Sequence, residues 1–298
     1  MKEHARHSRK KDKMKSHPCF SKEAHGRFGR IHLPVAPACN IQCRYCTRKC
    51  DCVNESRPGV CSIVLSPEEA LYRVAALVER DENLTVIGIA GPGDPLANDA
   101  TFETFSRINR MYPDLVLCVS TNGLCLPDRI DDLVKAGVRG LTITINGVGP
   151  ETVEKVCSWV NYRGKRYTGI EAAELLYANQ WRGLTNAVDA GLTVKVNTVL
   201  IPGVNDADIP YIAWLAGSKG ADIMNVLPLI PQAEFAHMEK PAPETVSAMR
   251  LECGQYLKQM SHCGQCRADA CGKLNEDKDM ELEVLTSVLG EEYCSGVN

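Results

Sequence analysis

The chain has 298 residues, a formal net charge of −3 and 15 cysteines. That length suits one large α/β domain, the charge gives no push toward nucleic acid, and no apolar run is long enough to cross a bilayer. The opening Met1-Lys2-Glu3-His4 is not a secretory signal, so the chain reads as cytoplasmic, and an odd cysteine count there argues for metal ligation, by zinc or iron–sulfur, over a disulfide framework.

Residues 1–17 are basic and polar, and read as a flexible tail, with a phosphate- or partner-binding arm as the alternative. Strand patterns follow at 31–36, 84–91, 115–121, 140–146, 193–200 and 223–229. Helix patterns lie between them near 66–81, 99–111, 127–136, 150–160, 170–190 and 206–219. The first of these helices opens on Ser66 as N-cap, Pro67 in the first turn and Glu69 completing a capping box. A last helix over about 243–261 precedes a Cys-rich tail. The expected organisation is a tail (1–17), an α/β partial barrel (18–240) and a C-terminal helix with a Cys-rich extension that closes the barrel (241–298).

Strand–helix units in sequence imply a parallel sheet. Strands covered on both faces are apolar on both faces, but several of these alternate. Thr142, Thr144 and Asn146 share a face opposite Leu141, Ile143 and Ile145. Lys195 and Asn197 oppose Val194 and Val196, and Cys118, Ser120 and Asn122 line up likewise, as do His32, Pro34 and Ala36. A repeated polar face on buried strands predicts a curved sheet around a ligand-lined lumen. The plainer alternative is a barrel core with hydrogen-bonded threonines.

Cys39-Asn-Ile-Gln-Cys43-Arg-Tyr-Cys46 follows the first strand, at the rim where parallel barrels build active sites. Three close thiolates hold three irons of a [4Fe–4S] cube and leave the fourth open to a small molecule. A zinc knuckle is the competing reading, but zinc sites usually show two separated pairs. Cys50, Cys52 and Cys61 follow, and Cys263-Gly-Gln-Cys266 with Cys271 closes the domain. His32 and Cys118, each more often a core residue when taken alone, share the polar face, and Cys19 stands just before the domain. Together they offer thiolate and imidazole from three directions.

The CxxxCxxC spacing, with Tyr45 before its last Cys, resembles the radical S-adenosylmethionine (SAM) enzymes. The run Cys39–Cys46, the stretch Asp51–Val60, Ala90-Gly-Pro-Gly-Asp-Pro-Leu96, Ser120-Thr-Asn-Gly123 and Cys263–Asp269 together resemble the NifB family over about residues 17–272. That resemblance implies a radical SAM partial (βα)6 TIM barrel with Cys-containing N- and C-terminal extensions, in the short, stand-alone form of the family. It implies a SAM-binding [4Fe–4S] cluster on Cys39, Cys43 and Cys46. It also implies two substrate [4Fe–4S] clusters, with Cys19, His32, Cys52 and Cys118 as candidates for one and Cys263 and Cys266 for the other. Gly91, Gly93 and Asp94 occupy the glycine-rich SAM motif but depart from its common Gly-Gly-Glu form. Ser120, Asn122, Asn146, Lys195 and Asn197 are candidate SAM contacts, with structural hydrogen bonding as the alternative for each. Glu55 is a candidate proton acceptor or transient iron ligand, against an ion pair with Arg57. His32 is a candidate catalytic residue, because imidazole detaches from iron more readily than thiolate.

The implied activity is methyl transfer from SAM to a cluster sulfide, hydrogen abstraction from that methyl, and fusion of two cubes around the resulting carbide into the eight-iron precursor of the nitrogenase cofactor. The implied partners are SAM, the cluster substrates, an electron donor and a downstream carrier or scaffold protein, with neither nucleic acid nor membrane. Two other functions fit the cysteines: a radical SAM enzyme with auxiliary electron-transfer clusters, and a non-catalytic iron–sulfur carrier. Cys50, Cys61 and Cys271 match no position of the family pattern.

Overall fold

The computed structural model describes residues 14–54, 61–274 and 276–277. The chain enters through helix α1 (Lys22–His25), strand β1 (Gly29–His32) and the short β2 (Ile41–Cys43). Helix α2 (Pro67–Arg80), β3 (Leu84–Ile89), α3 (Asp99–Met111), β4 (Val116–Thr121), α4 (Leu126–Lys135) and β5 (Val138–Thr144) follow in alternation. Then come α5 (Pro150–Val156), the hairpin β6 (Cys157–Tyr162) and β7 (Lys165–Thr168), and the long α6 (Gly169–Asp189). The pattern resumes with β8 (Thr193–Leu200), α7 (Ile209–Ser218) and β9 (Ile223–Pro228). Helix α8 (Pro243–Cys253), β10 (Cys271–Lys273) and β11 (Glu276–Asp277) complete it.

The main sheet has eight strands in the order β11-β10-β1-β3-β4-β5-β8-β9. From β1 to β9 every neighbour is parallel, and these strands curl into the half-barrel expected from the sequence. The capping box forms as read: the Ser66 hydroxyl accepts the Glu69 N–H at 3.2 Å, and the Glu69 carboxylate accepts the Ser66 N–H at 2.7 Å. One face of the sheet supplies the core, where Leu141, Ile143, Ile145, Val194 and Val196 are fully buried. The other face carries Ser120, Thr142, Thr144, Lys195 and Asn197, buried but polar.

Register aligns these residues into rows across the lumen. His32 sits opposite Gly88, Gly88 opposite Cys118, and Cys118 opposite Gly140. One step further along, Ser120 faces Thr142 and Thr142 faces Lys195. The glycines leave open the volume that side chains would fill. Beside Gly140 that space is taken by Met14 and Phe20, which pack against Val86, Val116 and Cys118. Met14 and His17, assigned by sequence to the tail, are therefore buried.

Besides the first strand, expected over 31–36 and found at Gly29–His32, three elements differ from the sequence reading. The helix expected over 150–160 stops at Val156, and residues 157–168 form a hairpin. Cys157–Tyr162 carries Trp159, Val160 and Tyr162, residue types that favour strands, and Tyr162 pairs with Lys165 across a two-residue loop. That loop, Arg163 and Gly164, takes φ of 50° and 78°, the left-handed pair that suits a tight hairpin. Strand β2 joins this hairpin in a second sheet, with Ile41 opposite Val160 and Cys43 opposite Cys157. The helix expected over 243–261 ends at Cys253, where Gly254 follows, and the chain returns to bridge Met224 with the Met260 N–H. Third, the Cys-rich tail adds β10 antiparallel to β1, a pairing with no local signal.

Candidate active site

Cys39 precedes β2, Cys43 ends it and Cys46 follows it, and the three reach one wall of a cavity. Cys39, Cys43 and Cys46 line it together with Asp94, Ser120, Asn122 and Thr144. Gln42 shapes the turn by donating from Nε2 to the carbonyls of Cys43 at 3.0 Å and Cys46 at 2.6 Å. Tyr45 anchors the loop. Its ring packs with Val199, Ile201 and Leu227, and its hydroxyl donates to Asn54 Oδ1 at 2.8 Å and accepts from Asn146 Nδ2 at 2.9 Å.

Burial pushes the Cys39 thiol up to about 12, with the Asp94 carboxylate adding to it. Burial, with the neighbouring thiols, holds Cys43 well above the ordinary thiol value. Crowded thiols out of water ionise only when a positive charge is placed among them, and iron supplies that charge. This donor chemistry fits a cluster on the triplet. Among the described residues, no three Cys, His, Asp or Glu side chains converge tightly enough for a single metal ion.

The turn after β3 is strapped to the cysteine loop. Gly93 donates its N–H to the Ala36 carbonyl at 2.6 Å, Asp94 to that of Ala38 at 2.9 Å, and the Asn98 side chain bonds both backbone groups of Ala38. A Cβ on Gly93 would lie 2.3 Å from the Ala38 carbonyl oxygen and 2.8 Å from that of Pro37. Both obstacles are backbone, so Gly93→Ala is expected to destabilise the fold by about 3 kcal/mol. Thermal denaturation with and without bound iron measures that loss.

Asp94 is 4% exposed and accepts from the Thr121 hydroxyl, the Asn122 N–H at 2.6 Å and the Leu96 N–H at 2.9 Å. Burial outweighs these donors and pushes its carboxyl up to about 6. Asn122 is bonded in turn to Asn40 Oδ1 at 2.7 Å and to the Leu124 N–H at 2.9 Å. Asn146 accepts the Val199 N–H at 2.9 Å besides holding Tyr45. Asn197 lies between Thr144 and Asn225 in the register. Asp94, Ser120 and Asn122 thus line the first cavity, Gly91 and Gly93 shape its turn, and Asn146 ties the sheet to the cysteine loop. Glu55 lies outside the described residues.

A second cavity opens deeper in the lumen, lined by Cys19, His32, Cys118, Lys195, Cys263 and Cys266. His32 Nδ1 meets the Arg267 carbonyl at 2.9 Å. A carbonyl only accepts, so the ring proton sits on Nδ1 and the lone pair on Nε2, as in a metal-ligating imidazole. A Cβ on Gly88 would fall 3.0 Å from that Nε2 and 3.3 Å from Cys118 Sγ. Gly88→Ala is therefore expected to displace both donors and to lose most of the iron bound in this cavity, while the iron of the first is kept. Iron analysis with Mössbauer spectra separates the two populations.

The cavities do not divide the thiols as the sequence assignment does. Cys52 lines the first cavity, whereas Cys263 and Cys266 share the second with Cys19, His32 and Cys118. Cys50 and Cys61 are joined by a disulfide on the wall of the first. Cys271 is buried in the apolar core on β10.

Three residues absent from the sequence assignment hold this arrangement. Arg30, 1% exposed, donates to the carbonyls of Gly272 at 2.7 Å and Lys273 at 2.8 Å, and to Cys266 Sγ at 3.1 Å. Burial still pushes Cys266 up to about 12 against the pull of that guanidinium. Asp51 accepts the Ser62 N–H at 2.9 Å, the Ser62 hydroxyl at 2.7 Å and the Ala268 N–H at 3.1 Å, which ties the cysteine loop to the C-terminal segment. His17 lines the second cavity at 2% exposure, and burial with the nearby Lys195 charge pushes its imidazole down to about 3. The sequence reading had placed it in the tail.

A family model described as the radical SAM superfamily matches residues 33–215. The FeMo cofactor biosynthesis protein NifB of Klebsiella pneumoniae is 48% identical over 281 residues, covering 92% of this chain and 60% of that protein. Its namesake in Chlorobaculum tepidum is 46% identical over 272 residues, covering 90% and 64%. The chain thus spans less than two thirds of the length of these curated relatives. A radical SAM methyltransferase from Sphaerobacter thermophilus superposes with a TM-score of 0.52 at 21% identity, over 81% of this chain and 70% of that one, a likeness of fold alone. Among the described residues, no helix is long and apolar enough to cross a membrane. The thiol-bearing loop of the half-barrel falls inside the matched region, and the chain belongs to the radical SAM superfamily and, within it, to the NifB family.

Proposed function

We propose that this protein inserts a SAM-derived carbide and fuses two substrate [4Fe–4S] clusters into the eight-iron iron–sulfur–carbide precursor of the nitrogenase cofactor. The observation that carries this reading is that Ala90 and Ser120 line both cavities. The place where SAM would be cleaved and the place where sulfide would be presented share a wall. In an electron carrier the two clusters need only lie within tunnelling distance. Group transfer between them needs contact.

A resident [4Fe–4S] cluster held by Cys39, Cys43 and Cys46 would supply an electron to the SAM sulfonium, giving a 5′-deoxyadenosyl radical. The chain's own residues do the positioning. The Gly91–Pro95 turn, strapped to Ala36 and Ala38, sets the floor of the SAM cavity and brings Asp94 and Asn122 to its wall. Cys19, His32 and Cys118 present a substrate cube in the second cavity, and Cys263 and Cys266 approach from the C-terminal segment. Lys195, a buried ammonium among these thiols, offsets the negative charge that a thiolate-bound cube brings. The electron donor and the carrier or scaffold that takes the product belong to the same proposal.

Anaerobic incubation of iron-loaded protein with methyl-labelled SAM tests it. Label in a released iron–sulfur cluster, with 5′-deoxyadenosine formed, is the expected result. Label ending on a peptide or a small organic molecule overturns it.

A further inference from the structure

Two histidines face the second cavity, and the backbone sets them in opposite senses. His32 has its proton on Nδ1, as argued above. His17 Nδ1 instead meets the backbone N–H of Cys19 at 3.1 Å. A backbone N–H only donates, so Nδ1 of His17 carries the lone pair and the neutral ring carries its proton on Nε2. Flipping the ring would set a carbon against that N–H, so the orientation is fixed by the bond it makes. The ring is also held edge-on to Phe20, with centroids 4.7 Å apart and planes at 77°.

His17 Nε2 is buried and meets no acceptor among the described residues. A buried donor is normally satisfied, so the acceptor belongs to what enters the cavity. The donors on its walls are thiols and an imidazole lone pair, which suit iron. Iron bound there as a cluster brings sulfide and thiolate sulfur, both acceptors.

We propose that His17 donates its Nε2–H to a sulfur of the substrate cluster and is a positioning residue, not an iron ligand. This rests on the proposed reading of the second cavity. The bond fixes which sulfur faces the shared wall at Ser120. It also withdraws negative charge from the cube, and hydrogen bonds to cluster sulfur raise the reduction potential. One imidazole therefore holds iron while the other holds sulfur.

The test compares His17→Leu, which removes the donor, with His17→Gln, whose amide N–H reaches the same place. Both are expected to bind as much iron as the unmodified chain. In His17→Leu the oxidised-to-reduced ratio of the second-cavity cluster at a fixed potential should rise about tenfold, a downward shift of about 59 mV for one electron. His17→Gln should recover most of that shift. An unchanged potential in His17→Leu overturns the hydrogen bond, and loss of one cluster's iron from His17→Gln shows a ligand instead. Pulsed EPR of the unmodified protein with labelled histidine needs no variant: one coordinated imidazole nitrogen is expected, and two overturn the proposal. Cys118→Ala separates the two levels of inference. If it loses no iron, the cavity reading itself fails and His17 falls with it.

Discussion

Cys43→Ala is expected to abolish 5′-deoxyadenosine formation from SAM, by at least about a thousandfold, or roughly 4 kcal/mol of barrier. Cys43 ends β2, where pairing with Cys157 of β6 fixes its backbone, and it lines the first cavity beside Cys39 and Cys46. With two thiolates in place of three, a cube loses its seat, and iron content should fall by about four per chain. The fold should survive, because the strand pairing uses backbone bonds and the neighbouring core is apolar. Iron analysis, product assay and thermal denaturation on one preparation measure the three effects. Retained SAM cleavage would remove the triplet from the mechanism.

Replacement of His32 should separate holding a cluster from letting it go. His32→Ala removes the Nε2 ligand that the Arg267 carbonyl orients. It is expected to lower cluster product by about a hundredfold or more, in the range of other losses of an oriented metal ligand or its support. SAM cleavage should stay within a few fold, since the first cavity is untouched. His32→Cys should restore iron, because thiolate binds iron at least as firmly, yet slow the fusion of the two cubes by about tenfold. Quantified product cluster and 5′-deoxyadenosine, measured together, test this. Wild-type turnover in His32→Cys would mean that a detachable imidazole has no part in fusion.

The residues differ in how far each was legible. The triplet was legible because its three donors lie within one short loop, where spacing nearly determines proximity. The alternation of Thr142 and Thr144 with Leu141 and Ile143 was legible because a strand sends neighbours to opposite faces. The polar side proved to be the lumen, as the register of Ser120, Thr142 and Lys195 shows. The hairpin at 157–168 was missed because a helical pattern running into Val156 masked a short strand segment, one of whose partners, β2, lies far back in the chain. Asp94 and Asn122 were read as SAM contacts, and the structure shows both also bonded to the loops they connect.

The sequence by itself determined the parallel half-barrel, the loop that carries three thiols and the face that would be polar. Each of these follows from residues within a turn or a strand of one another. Only the tertiary structure decided how the other donors group. Cys19 and Cys266 meet across one cavity because β10 pairs with β1 and Arg30 holds the carbonyls of Gly272 and Lys273. The roles of the two histidines were equally hidden, since an imidazole is a ligand or a donor according to which nitrogen its neighbours claim. For His32 that neighbour is the Arg267 carbonyl, far along the chain, and for His17 it is the Cys19 N–H, whose direction exists only once the segment is packed.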